Sequence, residues 1–171
     1  HVDLLGPATA VGNELLGIPS FDTPDYSELF SEEKEMIAKM KKVFLMVAGA
    51  AIQKYGTELE KHQQLLTAAA NILNEVYMAE STLLRVEKNV KRFGEDSQAG
   101  QIAMAKLYLY NAVETVSKNG KEGVVSFAEG DEQRMLLMGL KRFTKYANYP
   151  NVVALRNTIG DKLIAENKYC F

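Results

Sequence analysis

The chain has 171 residues, 47% apolar and 25% charged, a balance that fits an ordinary globular protein and excludes a disordered or collagen-like one. A domain of this size buries roughly 70% of the surface its unfolded chain exposes, so neither a disulfide nor a metal is needed to hold it. The formal net charge is −2, and Lys and Arg are spread along the chain rather than clustered, which leaves no electrostatic footprint for nucleic acid.

Residues Val2 to Leu16 mix apolar and polar types and are interrupted by Gly6, Pro7 and Gly12, so any helix there is expected to be short or broken. Gly17-Ile18-Pro19-Ser20-Phe21-Asp22-Thr23-Pro24 has the punctuation of a connector. The chain therefore divides into a connecting arm and linker, 1–24, and a helical domain, 25–171.

Ser31 has the chemistry of an N-cap, and Glu32, Glu33 and Glu35 follow where the helix dipole favours acids. The stripe Ile37, Met40, Phe44, Val47 and Ala51 repeats at three and four, and Gly56 is placed to end the helix, which is expected over 31–55. Thr57-Glu58-Leu59-Glu60 then has capping-box spacing and is expected to start a second helix. That helix carries Leu65, Ala69, Ile72, Val76, Ala79, Leu83, Val86, Val90 and Phe93, an alternation of four and three sustained over four heptads and closed by Gly94.

A helix of about 30 residues is about 45 Å long and needs other helices alongside it. A third follows Ser97, with Ile102, Ala105, Leu109, Val113 and Val116 on one face. The pair Asn119-Gly120 is expected to break it, with a brief restart over 121–127. A fourth opens at Gly130-Asp131-Glu132, bears Met135, Leu136, Leu140, Phe143 and Tyr146, and stops at Asn148-Tyr149-Pro150. A shorter closing helix, Asn151 to about Asn167, carries Val152, Val153, Leu155, Ile159, Leu163 and Ile164. No segment has strand alternation, and no repeat occurs. The fold class is all-α: an antiparallel four-helix-type bundle with an N-terminal arm and a short closing C-terminal helix.

The single cysteine, Cys170, cannot form an intramolecular disulfide, and without a secretory signal pattern the expected compartment is the cytoplasm. The longest apolar run, Val43 to Ile52, is about half of the roughly 20 residues that cross a bilayer, and it fits a buried helix instead. The chain begins at His1 rather than methionine, so it is expected to be a piece of a longer protein.

Complete catalytic sites are missing. Di-iron bundles need paired Glu-x-x-His motifs, whereas only His1 and His62 are present and neither lies in one. Glu58 and His62 share a helix face, but a metal site would need a second histidine nearby. Cys170 in a terminal tail is a poor partner for His62 in a nucleophilic pair. Gly120-Lys121-Glu122 lacks the upstream glycine of a phosphate loop. Glu80 lies beside the seam positions Ala79 and Leu83 and fits a solvated flanking residue better than a general base. Tyr55, Tyr77, Tyr108, Tyr110, Tyr146 and Tyr149, with the methionines, fit packing better than a cofactor box.

Leu59-Glu60-Lys61-His62-Gln63-Gln64-Leu65-Leu66, Ala69-Ala70-Asn71-Ile72 and Val76-Tyr77-Met78-Ala79-Glu80-Ser81 resemble the extra C-terminal helical domain of very-long-chain-type acyl-CoA dehydrogenases. The terminal Lys168-Tyr169-Cys170-Phe171 is similar to endings of bacterial members, and the likeness runs from Phe21-Asp22-Thr23-Pro24-Asp25-Tyr26 to the end. The pattern departs at Asn71, where an acid is common, and at Tyr77-Met78, which lack an intervening alanine.

The resemblance implies a parent enzyme that oxidises an acyl-CoA to a trans-2-enoyl-CoA in fatty-acid oxidation, with a glutamate base and FAD as hydride acceptor. Both belong to preceding domains. No catalytic, flavin-contacting or metal-binding residue of that family maps onto this chain, which is expected to be inactive alone and to hold no cofactor itself. Its implied role is accessory: packing on its own catalytic domains, contributing to a homodimer and, in some members, to peripheral membrane association. The alternatives are a free-standing bundle that binds a partner helix or a membrane surface, and an enzyme using buried carboxylates.

Overall fold

The computed structural model describes residues 4–17 and 25–168. Six α-helices follow one another: α1 Leu5–Leu16, α2 Ser31–Tyr55, α3 Gln63–Phe93, α4 Ala99–Phe127, α5 Gly130–Phe143 and α6 Val152–Glu166. Short 3-10 turns fill Gly56–Lys61 and Asp96–Gln98, and no strand occurs among the described residues. The all-α bundle expected from the sequence is the fold found.

Cross-helix pairs fix the directions. Lys34 meets Glu87 and Lys41 meets Glu80, so α2 and α3 are antiparallel. Val43 faces Gly120 and Val47 faces Gly123, so α4 runs parallel to α2. Lys42 lies over the Phe143 ring while Met46 faces Gly139, so α5 runs back along α2. Helices α2 to α5 thus alternate up and down with short connections. Their shared core contains Met36, Met40, Val43 and Val47 from α2, Ile72 and Leu83 from α3, Val113 and Val116 from α4, and Leu140 and Phe143 from α5.

The long seam behaves as its periodicity requires. Leu65, Ile72, Val76, Ala79, Leu83 and Val86 are buried, and Gly94 closes α3 with a positive φ of 83°. At its two ends the pattern gives way: Ala68 is buried rather than Ala69, and Phe93 is 54% exposed because it lies in the last turn. On α2 the burial adds Met36, Val43 and Met46 to the expected stripe, because this helix packs against α1, α3, α4 and α5, while Phe44 of that stripe is only half-buried and lines a cleft towards α3.

Several local expectations are overturned. The arm is not broken: α1 is one continuous helix of 12 residues, with Pro7 in its first turn, where its missing amide costs no hydrogen bond. It lies antiparallel to α2, with Ala8 against Gly49 and Glu14 paired to Lys42. Of the expected linker, Gly17 to Pro24, Gly17 ends α1 and residues 18–24 lie outside the described residues, as does Cys170.

Ser31 is the first helical residue rather than the cap. The buried Phe30 caps α2 from a left-handed conformation, φ 67°, while the Ser31 hydroxyl donates to the Glu28 carbonyl. Thr57 to Glu60 form a 3-10 turn and no capping box. The α3 cap is His62, whose ring stacks on Tyr55 at 3.7 Å.

Asn119-Gly120 does not break α4, which continues to Phe127. Both residues are buried, and Leu140 presses so close that a Cβ at Gly120 would stand 2.7 Å from its Cδ1. The glycine is there for helix contact, which outweighs its intrinsic cost of about 1 kcal/mol in a helix. On α5, Met135 is 37% exposed, and Tyr146 is buried beyond the helix end. Helix α6 buries no residue fully; its half-buried Val152, Leu155 and Ile159 mark the side that packs on α4.

Candidate functional site

The titratable residues weighed from the sequence are dispersed. Glu80 pairs with Lys41 Nζ at 2.6 Å, and both side chains are nearly half exposed, so the carboxylate is a solvated cross-helix partner and not a buried base. Glu58 pairs with Lys61, while His62 is occupied in its stack on Tyr55. Among the described residues, no three His, Cys, Asp or Glu side chains gather closely enough to hold a metal. Lys121 and Glu122 sit in the exposed surface of α4.

Two tyrosines are tied to carboxylates. Tyr26 donates to Glu35 Oε2 at 2.6 Å, and this bond to an anion, with burial, pushes the phenol up to about 12. Burial, followed by its hydrogen bond to Glu75 Oε2 at 2.9 Å, pushes Tyr108 up to about 12 as well. Tyr146 is 5% exposed, and its hydroxyl has no hydrogen-bond partner among the described residues. Burial, with Glu33 and Glu32 close by, holds that phenol neutral far above its ordinary range.

Two clefts flank α3. Between α3 and α4 lies a polar one of about 360 Å³, where Asn71 Nδ2 donates to Asn119 Oδ1 at 3.0 Å and Asn119 Nδ2 donates to the Thr115 carbonyl. Both polar ends of Asn119 are satisfied within the protein, and the side chain works as an interhelical tie.

The second cleft, of about 300 Å³ between α2 and α3, is lined by Phe44, Ala48, Ile52, Leu59, Leu66 and Ala70 among others, none of them charged. Leu4, the residue before α1, stands at its edge. Along α3 the apolar lining continues outward: Leu66 and Ala70 are followed at helical spacing by Leu73 and Tyr77, 47% and 67% exposed. Leu84 extends the series with 57% exposed.

Sequence reasoning took the buried seam and read Tyr77 and the methionines as packing residues. In the fold Tyr77, Met78 and Met138 are exposed, the last at 71%, because they fall off the core-facing stripes of α3 and α5. The signal that could have found this face was a second series, Leu66, Ala70, Leu73, Tyr77 and Leu84, at the same spacing but offset from the first. A helix apolar on two sides has two surfaces to cover, and the described residues cover one of them. No helix among the described residues is long and apolar enough to cross a membrane.

Comparison with known proteins agrees with this architecture. The family described as "Acyl-CoA dehydrogenase, C-terminal domain" matches residues 39–142. A probable acyl-CoA dehydrogenase of Bacillus subtilis (strain 168) is 29% identical over 143 residues, which is 84% of this chain and 24% of that protein. A crystal structure of an acyl-CoA dehydrogenase complexed with FAD from Bacillus anthracis superposes with a TM-score of 0.87 at 29% identity, covering 98% of this chain and 28% of that one. The chain spans about a quarter of the length of these relatives. It belongs to the family of acyl-CoA dehydrogenase C-terminal domains.

Proposed function

We propose that this chain is the accessory C-terminal domain of an FAD-dependent acyl-CoA dehydrogenase that oxidises acyl-CoA to trans-2-enoyl-CoA in fatty-acid oxidation. Residues 1–24 connect it to the catalytic domains and 25–171 form the domain proper. Its part is structural: it packs on those domains and contributes to a homodimer in the cytoplasm, without carrying chemistry of its own.

The observation that carries this reading is the match along nearly the whole chain, at 29% identity and a TM-score of 0.87, to about a quarter of a flavin-containing acyl-CoA dehydrogenase. The two clefts that flank α3 support this reading: one is apolar and one is edged by amide, hydroxyl and carboxylate groups, and neither offers a glycine-rich loop for a pyrophosphate. The catalytic and flavin-binding groups are therefore assigned to the rest of the parent.

The test compares two proteins: the 171-residue chain and the parent encoded by the reading frame upstream of His1. The parent is expected to reduce an electron-accepting dye in the presence of acyl-CoA. The 171-residue chain should bind neither FAD nor acyl-CoA in a calorimetric titration, and saturable binding of either would refute the assignment.

A further inference from the structure

We infer that the α2–α3 groove, with Leu73 and Tyr77 beyond it, is the seat of the catalytic portion of the parent enzyme. This rests on the accessory-domain reading above and names the surface through which the domain holds its catalytic portion.

The first argument is connection. The matched family is a C-terminal domain, and the relatives are about four times as long, so on this reading the remainder of the parent precedes Leu4. Leu4 itself lines the groove. The groove thus lies beside the first described residue, and a covalently linked partner meets a nearby surface at high effective concentration, so even a modest area suffices.

Chemistry supplies the second argument. The groove walls are Phe44, Ala48 and Ile52 on one side and Leu66, Ala69 and Ala70 on the other, and no charged side chain lines it. Further along the same two helices, Lys41 and Glu80 pair with each other at 2.6 Å. Such a surface selects an apolar helix or loop, and it offers nothing to an acidic peptide or an anionic headgroup. Alanines at 48, 69 and 70 keep the walls low, which lets a neighbouring backbone approach closely, while Leu73 and Tyr77 provide the large side chains that an interface buries.

Thiol accessibility tests this. Cys170→Ser is made in the 171-residue chain and in the parent, and Ala70→Cys or Ala48→Cys is then added to each, with Ala165→Cys on exposed α6 as the control. Either groove cysteine is expected to react at least about tenfold more slowly with a maleimide in the parent than in the 171-residue chain, as burial behind a stable contact requires. The control should react alike in both. Two groove positions on opposite walls keep the test open should one variant fold poorly.

Equal reactivity of Ala70→Cys and Ala48→Cys in both proteins overturns the docking, and if that parent still reduces dye with acyl-CoA, the accessory-domain reading survives. Protection in the 171-residue chain that disappears on dilution assigns the groove to a second copy and overturns the proposal. Protection that appears only with phosphatidylglycerol vesicles assigns it to a membrane and overturns the proposal equally. A parent without acyl-CoA-dependent activity removes both readings.

Discussion

Gly120 of α4 and Leu140 of α5 touch so closely that a Cβ at Gly120 would stand 2.7 Å from Leu140 Cδ1 and 3.4 Å from Val43 Cγ1. The parallel case is Gly49, whose Cβ would collide with that of Ala8, an atom fixed by the α1 backbone. Gly49→Ala is therefore expected to lift α1 from α2 and lower stability by about 1–3 kcal/mol, the range for overpacked sites. Gly120→Ala should cost less, because a leucine methyl can rotate away. Gly160, with open space around it in α6, is the opposite: Gly160→Ala should stabilise by up to about 1 kcal/mol. Urea unfolding midpoints of the three variants check the order, and a Gly49→Ala midpoint at or above that of the unmodified chain would refute the contact.

Ile72 is fully buried in the α3 seam, whereas Phe93 is 54% exposed at its end. Ile72→Ala is expected to destabilise by about 2–5 kcal/mol through lost transfer energy and a residual cavity. Phe93→Ala, although it removes the larger side chain, should stay within about 1 kcal/mol of the unmodified chain, as exposed sites do. Equal losses at the two positions in chemical denaturation would show that sequence periodicity, not burial, is being measured.

Tyr146 and Tyr108 differ in one respect that a single atom tests. The Tyr146 hydroxyl is buried without a partner, while Tyr108 donates to Glu75 at 2.9 Å. Removing a buried unsatisfied group costs nothing, so Tyr146→Phe should leave stability unchanged or raise it by up to about 2 kcal/mol. Tyr108→Phe should lower it by about 0.5–1.5 kcal/mol, the net worth of a typical hydrogen bond. Thermal melts by circular dichroism distinguish the signs, and a large loss in Tyr146→Phe would mean that its oxygen has a partner.

Tyr26 and Tyr108 are both raised from 10.0 to about 12 in the folded protein. The folded state thus holds these protons more tightly than the unfolded state does. The associated stability is complete below pH 10 and falls as pH rises from about 10 towards 12, because the unfolded chain binds fewer protons there. Difference absorbance of tyrosinate during alkaline titration should show late-ionising tyrosines in the native protein, with the contribution near pH 12 lost in Tyr26→Phe,Tyr108→Phe and that of the buried Tyr146 retained. A midpoint near 10 for every tyrosine would contradict both hydrogen bonds.

The long elements were legible because their information is local. The seam of α3 from Ile72 to Val86, most of the stripe of α2 and the glycines at 56 and 94 need only helical spacing and the freedom of positive φ, and they stand where the pattern puts them. The resemblance carried by Leu59 to Ser81 was equally local, and the family followed from it.

Tertiary structure decided what depends on a neighbour. Gly120 reads as a breaker until Leu140 is placed against it, and Pro7 and Gly12 read as interruptions until α1 lies on Gly49. Thr57 and Glu60 have the chemistry of a cap, yet the chain turns as a 3-10 segment there while Leu59 packs against the core. The groove between α2 and α3 is the clearest case. Apolar residues at Leu66, Ala70, Leu73 and Tyr77 have the same hydrophobic character as the seam beside them, and only packing shows which series is buried. Sequence determines that a helix has two apolar faces; which one is left for another body depends on where the other helices lie, because burial is a property of neighbours and not of residues.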